Sequence, residues 1–481
     1  MLYRILSSLE SSFIAVYYAA QYLTPANVRG AVQTVVQLKS QISNLKSNTK
    51  ATRNTGTELP ALLLCALLLC TGSAFGQALN QTATASTGAT PATATLSPAA
   101  LPADLKALRD AGNAALFNID YATARAKFEE IRKLAPQHPA GDLYLAIATW
   151  LEYLYRNRRL QTSLYNADSS FYAGAENAKE ETEGDAVDPA VDKTFRDRIQ
   201  QAKLKALTLF NRDKKDPDAL YFLGAVHGVL AGYEASTARK FFAAMRNGSR
   251  NVDLHQKVVE LKPDYHDAYL AIGTYHYILG TLPFYMKALA AIGGMRGNKQ
   301  KGIAEMQTVV EQGSNSDDAS VLLLAVFQNE KRPQDALAIL QRLSAKYPRN
   351  YLFRLETAAT LVELKRHDDA YAQFESLLKD DSAAAVADLV HFKYGEALAA
   401  NQQHPRAAAQ FLAVQTIKMA QADLATIALL RAGQVYDLAG KREEALAQYK
   451  AVLARPNVYD SRAQAERGLK QVYVVKEKKG E

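Results

Sequence analysis

Cysteine is nearly absent: the 481 residues contain two, Cys65 and Cys70, both inside one apolar stretch. Outside that stretch no disulfide framework and no thiolate zinc site can form. Methionine is also scarce, and none occurs between Met1 and Met245. The most apolar stretch, residues 59–70 (LPALLLCALLLC), is twelve residues long, short of the about 20 that a bilayer span requires. A strong surplus of one charge is missing too. The formal net charge is +8, and residues 1–76 hold six Lys and Arg against two acidic residues. A balance so weakly basic leaves no nucleic-acid footprint. What is present is an ordinary globular mixture, 48% hydrophobic and 22% charged. That mixture excludes wholesale disorder, a collagen-like chain and a polytopic membrane protein.

The 59–70 stretch has the length of a signal-peptide apolar region. Lys46, Lys50 and Arg53 precede it, and Ala74-Phe75-Gly76 places small residues at −3 and −1 of a cleavage before Gln77. Residues 58–76 therefore read as a signal peptide, and a short buried helix is the competing reading. Residues 1–57 read as an N-terminal extension, either untranslated or cytoplasmic on an uncleaved anchor. Residues 77–103 are rich in Ala, Thr, Ser and Pro, with no charge from Leu59 to Ala103. They cannot bury a core and read as a flexible linker.

From Asp104 onward the signal is self-similarity. A window with a small residue at position 8, Ala at 20 and an aromatic at 24 fits Gly112, Ala124 and Phe128. It also fits Ala358, Ala370 and Phe374; Gly395, Ala407 and Phe411; and Gly433, Ala445 and Tyr449. Ala336, Leu340 and Pro348 fit the second half of another window, and Pro136 closes the first. Antiparallel helices approach closely only where small side chains meet. The aromatic four residues after Ala lies on the same face, and a proline disfavours helix in its predecessor. A single helix hairpin leaves an apolar face exposed, so the units must stack.

This pattern resembles the tetratricopeptide repeat (TPR) family, whose unit is about 34 residues. Leu261-Lys-Pro-Asp-Tyr-His-Asp-Ala-Tyr-Leu-Ala-Ile-Gly273 looks like a TPR junction, and Asp216–Gly224 looks like a second. The resemblance implies an all-α fold: an α-solenoid of antiparallel helix pairs, a TPR-like superhelix, following a disordered N-terminal region. Repeats are expected at 105–138, 217–265, 266–316, 317–350, 351–387, 388–425 and 426–459. Gly224 and Gly273 join the repeat-packing residues, and 460–481 reads as a capping helix with Ser461 as N-cap. Residues 139–216 break the pattern, with helices at 142–160 and 192–210 flanking an acidic insertion, 161–189. The repeats from Pro217 and His266 carry extra length near 233–250 and 283–299. Two lobes are expected: a divergent N-terminal half (104–216) and a solenoid of two long repeats (217–316) and regular ones (317–459).

Candidate functional residues cluster in the middle: Tyr221, His227, Tyr269, His276, Tyr277, Phe284 and Tyr285. They read either as a groove for a partner peptide or apolar ligand, or as packing between repeats. His227 and His276 occupy equivalent windows, but neither has a third ligand at metal spacing. Residues 281–297 read as a membrane-surface or partner-docking hairpin, or as a packed helix extension. Some TPR domains clamp a C-terminal carboxylate with Lys, Asn and Arg on the inner faces of successive first helices, at positions 5 and 9. Here that series runs Arg109 and Asn113, Leu270 and Thr274, Val321 and Ala325, Leu355 and Ala359, Phe392 and Glu396, which is mostly apolar. An apolar or mixed groove suits a peptide better. No Gly-x-Ser-x-Gly, His-Glu-x-x-His or phosphate loop is present.

The expectation is a non-catalytic scaffold needing no cofactor or metal. It is exported to the periplasm or cell envelope, where it binds an envelope protein or peptide. The alternative is a ligand-binding component of an envelope transport system, with its pocket near Tyr269, His276 and Phe284. An enzyme carried by 139–216 is a third class.

Overall fold

The computed structural model describes residues 100–158, 160, 187–282, 284, 287, 291 and 296–475. The extension 1–57, the signal segment, both cysteines, most of the linker, most of the 161–189 insertion, Tyr285 and most of 283–299 lie outside the described residues. Among the described residues there are seventeen α-helices and no strand. They are α1 (Ala103–Phe117), α2 (Tyr121–Leu134), α3 (Ala140–Arg156), α4 (Pro189–Arg212), α5 (Pro217–Ser236), α6 (Phe241–Leu261), α7 (Tyr269–Thr281), α8 (Lys299–Gln312) and α9 (Ser316–Asn329). There follow α10 (Pro333–Lys346), α11 (Tyr351–Glu363), α12 (His367–Leu378), α13 (Ala387–Ala400), α14 (His404–Ala413), α15 (Ala422–Leu438), α16 (Arg442–Leu453) and α17 (Ser461–Lys470). Each helix packs on the next, so the first sixteen form eight antiparallel pairs and α17 covers the last. No helix among the described residues is long and apolar enough to cross a membrane.

The spacing predicted from the sequence reflects a specific contact. A Cβ on Gly395 would lie 2.8 Å from the Phe411 ring, and one on Gly433 would lie 2.6 Å from the Tyr449 ring. Gly112 meets the ring of Phe128 in the same way. The aromatic at position 24, rather than the Ala at 20, is therefore what occupies the space of the missing side chain. Ala124, Ala336, Ala370, Ala407 and Ala445 are all fully buried alongside. Two pairs solve the crossing differently. Gly273 lies against the backbone of Gly302, and Gly224 lies against the imidazole of His255.

The turns inside the pairs share one device. Ile119, Lys331, Lys365, Gln402 and Gly440 each follow a first helix with φ between +53° and +73°. The next residue's amide then reaches back to the helix, as in Arg366 N to Leu361 O at 2.9 Å and Lys441 N to Tyr436 O at 2.9 Å. This is the left-handed ending that closes a helix and satisfies its last carbonyls.

Arg158, with φ +53°, stands in the same position after α3. Residues 139–216, expected to interrupt the array, thus supply its second pair, with the insertion placed at an ordinary intra-pair turn. Asp142 on α3 is 1% exposed and accepts from Lys205 at 2.5 Å and Arg198 at 3.2 Å on α4. Phe195 of α4 stacks on Tyr233 of α5 at 3.8 Å, while Trp150 of α3 packs over Gly232. These contacts make the array continuous across the boundary where two lobes were expected.

The extra length near 233–250 goes into longer helices, α5 with 20 residues and α6 with 21. At the C-terminus Ser461 is the first helical residue, not the cap: Asp460 precedes it at φ +58°. The Ser461 hydroxyl instead accepts from Val458 N at 3.0 Å.

Candidate interaction surface

Among the described residues, the central side chains singled out in the sequence do not gather on one surface. Tyr277 is 2% exposed; its hydroxyl donates to Glu330 and accepts from Asn329, both at 2.9 Å. It is core, wedged between α7, α8 and α9. His276 donates through Nδ1 to Glu305 on α8 at 2.6 Å. His227 is buried between α5 and α6, where Nδ1 donates to Asn247 at 2.8 Å and Asn247 donates on to Glu234. Desolvation holds the His227 pKa below the usual histidine range, only partly offset by Asn247. Tyr269 donates to Pro263 O at 3.3 Å, and Phe284 stands 85% exposed. Of the six that lie among the described residues, Tyr221 alone joins the cluster described next.

First helices of successive pairs line the inner face of such a ribbon. Here they bring together Arg109 of α1, Tyr144 of α3, Tyr221 of α5 and Asp318 of α9, with Asp267 from the 3-10 turn before α7. The mutual influence of these groups is electrostatic. Desolvation raises the Tyr144 hydroxyl to about 12, with Arg109 opposing and Asp318 and Asp267 reinforcing. Burial works against the Arg109 charge, but Tyr144 and Asp110 more than offset it and its pKa rises. Asp318 meets solvent, yet protein encloses it. Desolvation, then repulsion from Asp317 and Asp267, raises its carboxyl to about 6 against the pull of Arg109. Asn315 ties the cluster down, donating to the Tyr221 hydroxyl at 2.7 Å and, through its amide, to Asp267 at 2.8 Å. A solvent-accessible recess with carboxylates, one guanidinium and two phenols can hydrogen-bond a peptide backbone and pair with its charged side chains.

Sequence reasoning missed Tyr144, Asp267, Asn315 and Asp318. Arg109 and Tyr221 stand at position 5 of their windows, whereas Asp267 and Asp318 stand at position 2, which the 5-and-9 reading skipped. Position 5 also turns inward as the array proceeds. Leu355 is 4% exposed and Phe392 fully buried, so pairs six and seven present no apolar groove through them. A cavity of about 350 Å³ lies elsewhere, lined by Lys203, Leu207, Leu223, His227, Arg250, Asp253 and Leu254. It is not beside Tyr269, His276 and Phe284. Among the described residues, no three His, Cys, Asp or Glu side chains are grouped to hold a metal.

The chain is distantly similar to solved structures. Yeast Tom70 is 11% identical, covering 76% of this chain and 95% of its own, with a TM-score of 0.32. A human IFIT1 dimer with m7Gppp-AAAA is 14% identical, covering 73% and 94%, with a TM-score of 0.28. A tetratricopeptide repeat protein from Parabacteroides merdae is 10% identical, covering 76% and 97%, with a TM-score of 0.21. No curated protein gives a significant match. Family profiles described as tetratricopeptide repeat match residues 329–391 and 427–457. The first match spans α10 to α12 and the second spans most of α15 and α16, where the glycine–aromatic crossing recurs. Repeats of this kind support protein–protein interaction in general. The chain therefore carries tetratricopeptide repeats at 329–391 and 427–457, within a helix-pair construction that runs from α1 to α16.

Proposed function

We propose that the chain is a non-catalytic adaptor that binds a segment of a protein partner on its inner face, in the periplasm or cell envelope. The observation that carries this reading is the recess of Arg109, Tyr144, Tyr221, Asp267 and Asp318. It is the convergence of side chains from several first helices on one polar cluster that water reaches, with Asp318 exposed and the others partly so. The export setting rests on residues 58–76 and the uncharged linker after them.

The test is crosslinked capture by tagged 77–481 in the native envelope, compared with Asp318→Lys. Asp318 is exposed, so reversing its charge leaves the core intact. One or two dominant proteins, lost with Asp318→Lys, support the adaptor; the same proteins retained by the variant move the surface elsewhere. Cell fractionation of the full-length protein tests the setting, and recovery in the cytoplasm overturns it.

A further inference from the structure

All first helices run one way, so intra-pair turns lie along one edge of the ribbon and inter-pair connections along the other. In this chain the two edges meet. The Phe117 ring, at the turn of the first pair, stacks on Tyr347 at 4.9 Å and lies 6.5 Å from Phe353. The Phe117 carbonyl accepts from Asn350 at 2.7 Å, the same Asn350 whose side chain caps α11 through Leu352 N. At the end of α3, Tyr155 stands between Tyr121 at 5.5 Å and Tyr351 at 6.3 Å. Three residues on, Arg158 pairs with Asp388 at 2.8 Å, 230 positions away, and reaches Ala385 O at 3.2 Å. The pair is buried, with side-chain exposures of 10% and 1%.

We propose that this seam is an autoinhibitory clasp: pairs one and two close the inner face in cis, and a partner segment reaches it only when the seam parts. The proposal rests on the inner face being the partner surface. Two features suit the seam to opening. It is built from turns and helix ends, whereas successive helices pack along their lengths. Its central ion pair is also incompletely compensated. Asp388 Oδ2 takes both the Arg158 bond and one from Gln421 N at 3.0 Å, while Oδ1 is buried with no hydrogen-bond partner among the described residues. A buried ion pair specifies a contact more than it stabilises one, and loss of one partner strongly disfavours the state that buries the other. Arg158→Ala therefore penalises the closed form alone, because Asp388 regains water when the seam parts.

The experiment uses the full chain with Cys65→Ser, Cys70→Ser and Asp318→Cys, so that the only thiol lies in the recess. Its reaction with a long-chain polyethylene-glycol maleimide is compared with that of N-ethylmaleimide. A two-state protein whose open form is a minor species of about 10% or less gains about tenfold or more in access when opened. Adding Arg158→Ala is expected to speed the bulky reagent about tenfold and leave the small one unchanged. Phe117→Ala is expected to act in the same direction without touching the ion pair. Circular dichroism confirms that both variants stay helical. Bulky labelling equally fast with the seam intact and broken overturns the clasp. Because the probe needs no partner, that result is independent of whether envelope capture succeeds.

Discussion

Tyr449 is held between two glycines from different helices. A Cβ on Gly433 of α15 would lie 2.6 Å from one edge of its ring, and a Cβ on Gly468 of α17 would lie 2.6 Å from the other. The phenol between them donates to Asp437 at 2.8 Å. This contact joins the last repeat to the capping helix.

Gly468→Ala is expected to cost about 2 kcal/mol, in the range for forcing an extra carbon into a packed site. The loss should concentrate in α16 and α17, read as faster amide exchange there. Tyr449→Leu in the same chain should recover part of it, since a smaller side chain yields the space. A Gly468→Ala protein as stable as wild type would mean that α17 shifts freely.

Asp437 gathers three donors: Tyr449, Arg442 at 2.8 and 3.0 Å, and the Tyr473 amide at 2.8 Å. Its side chain is fully buried. Asp437→Ala leaves the buried Tyr449 without its acceptor and the partly exposed Arg442 with only the Gly468 and Leu469 carbonyls, and should cost about 3 kcal/mol. Denaturant melts would show the loss, and α1 to α6 should keep wild-type amide protection.

Lys365 is exposed and sits at φ +58°. A side chain in the left-handed region costs about 1–2 kcal/mol, while glycine adds about 0.5–1 kcal/mol of chain entropy to folding. Lys365→Gly should therefore stabilise by roughly 0.5–1 kcal/mol in a urea melt. Gly440→Ala, at φ +73° with no atom nearby, should lose a similar amount through backbone strain alone.

Desolvation lowers His255 to about 4, with a partial offset from its bond to the Asn251 carbonyl. The unfolded chain binds its proton near pH 6.5, so between 6.5 and 4 unfolding takes up a proton that the folded state refuses. The stability that neutral His255 contributes is complete above pH 6.5 and falls away toward pH 4, by up to roughly 3 kcal/mol. His255→Leu should flatten that part of the stability–pH curve relative to wild type. Parallel curves for the two proteins would place the proton uptake elsewhere.

The small-residue, Ala and aromatic spacing was legible because it is local: position 8 meets position 24 within one hairpin, and the helical period alone brings Gly395 to Phe411. The second pair was not legible, because α3 and α4 keep their contacts through Asp142, Trp150 and Phe195 rather than through that spacing. The recess was half legible. Arg109 and Tyr221 were noticed for other reasons, but their convergence with Tyr144, Asp267 and Asp318 depends on the curvature of five helix pairs.

The sequence by itself determined the helical class, the repeat unit and the glycine–aromatic crossings of the regular pairs, since each follows from helical periodicity and the size of a side chain. Tertiary structure alone decided that Arg158 meets Asp388 and that Phe117 meets Tyr347. Those contacts depend on the accumulated rotation between successive pairs, a small angle set by many packing contacts and summed over hundreds of residues before the two edges touch.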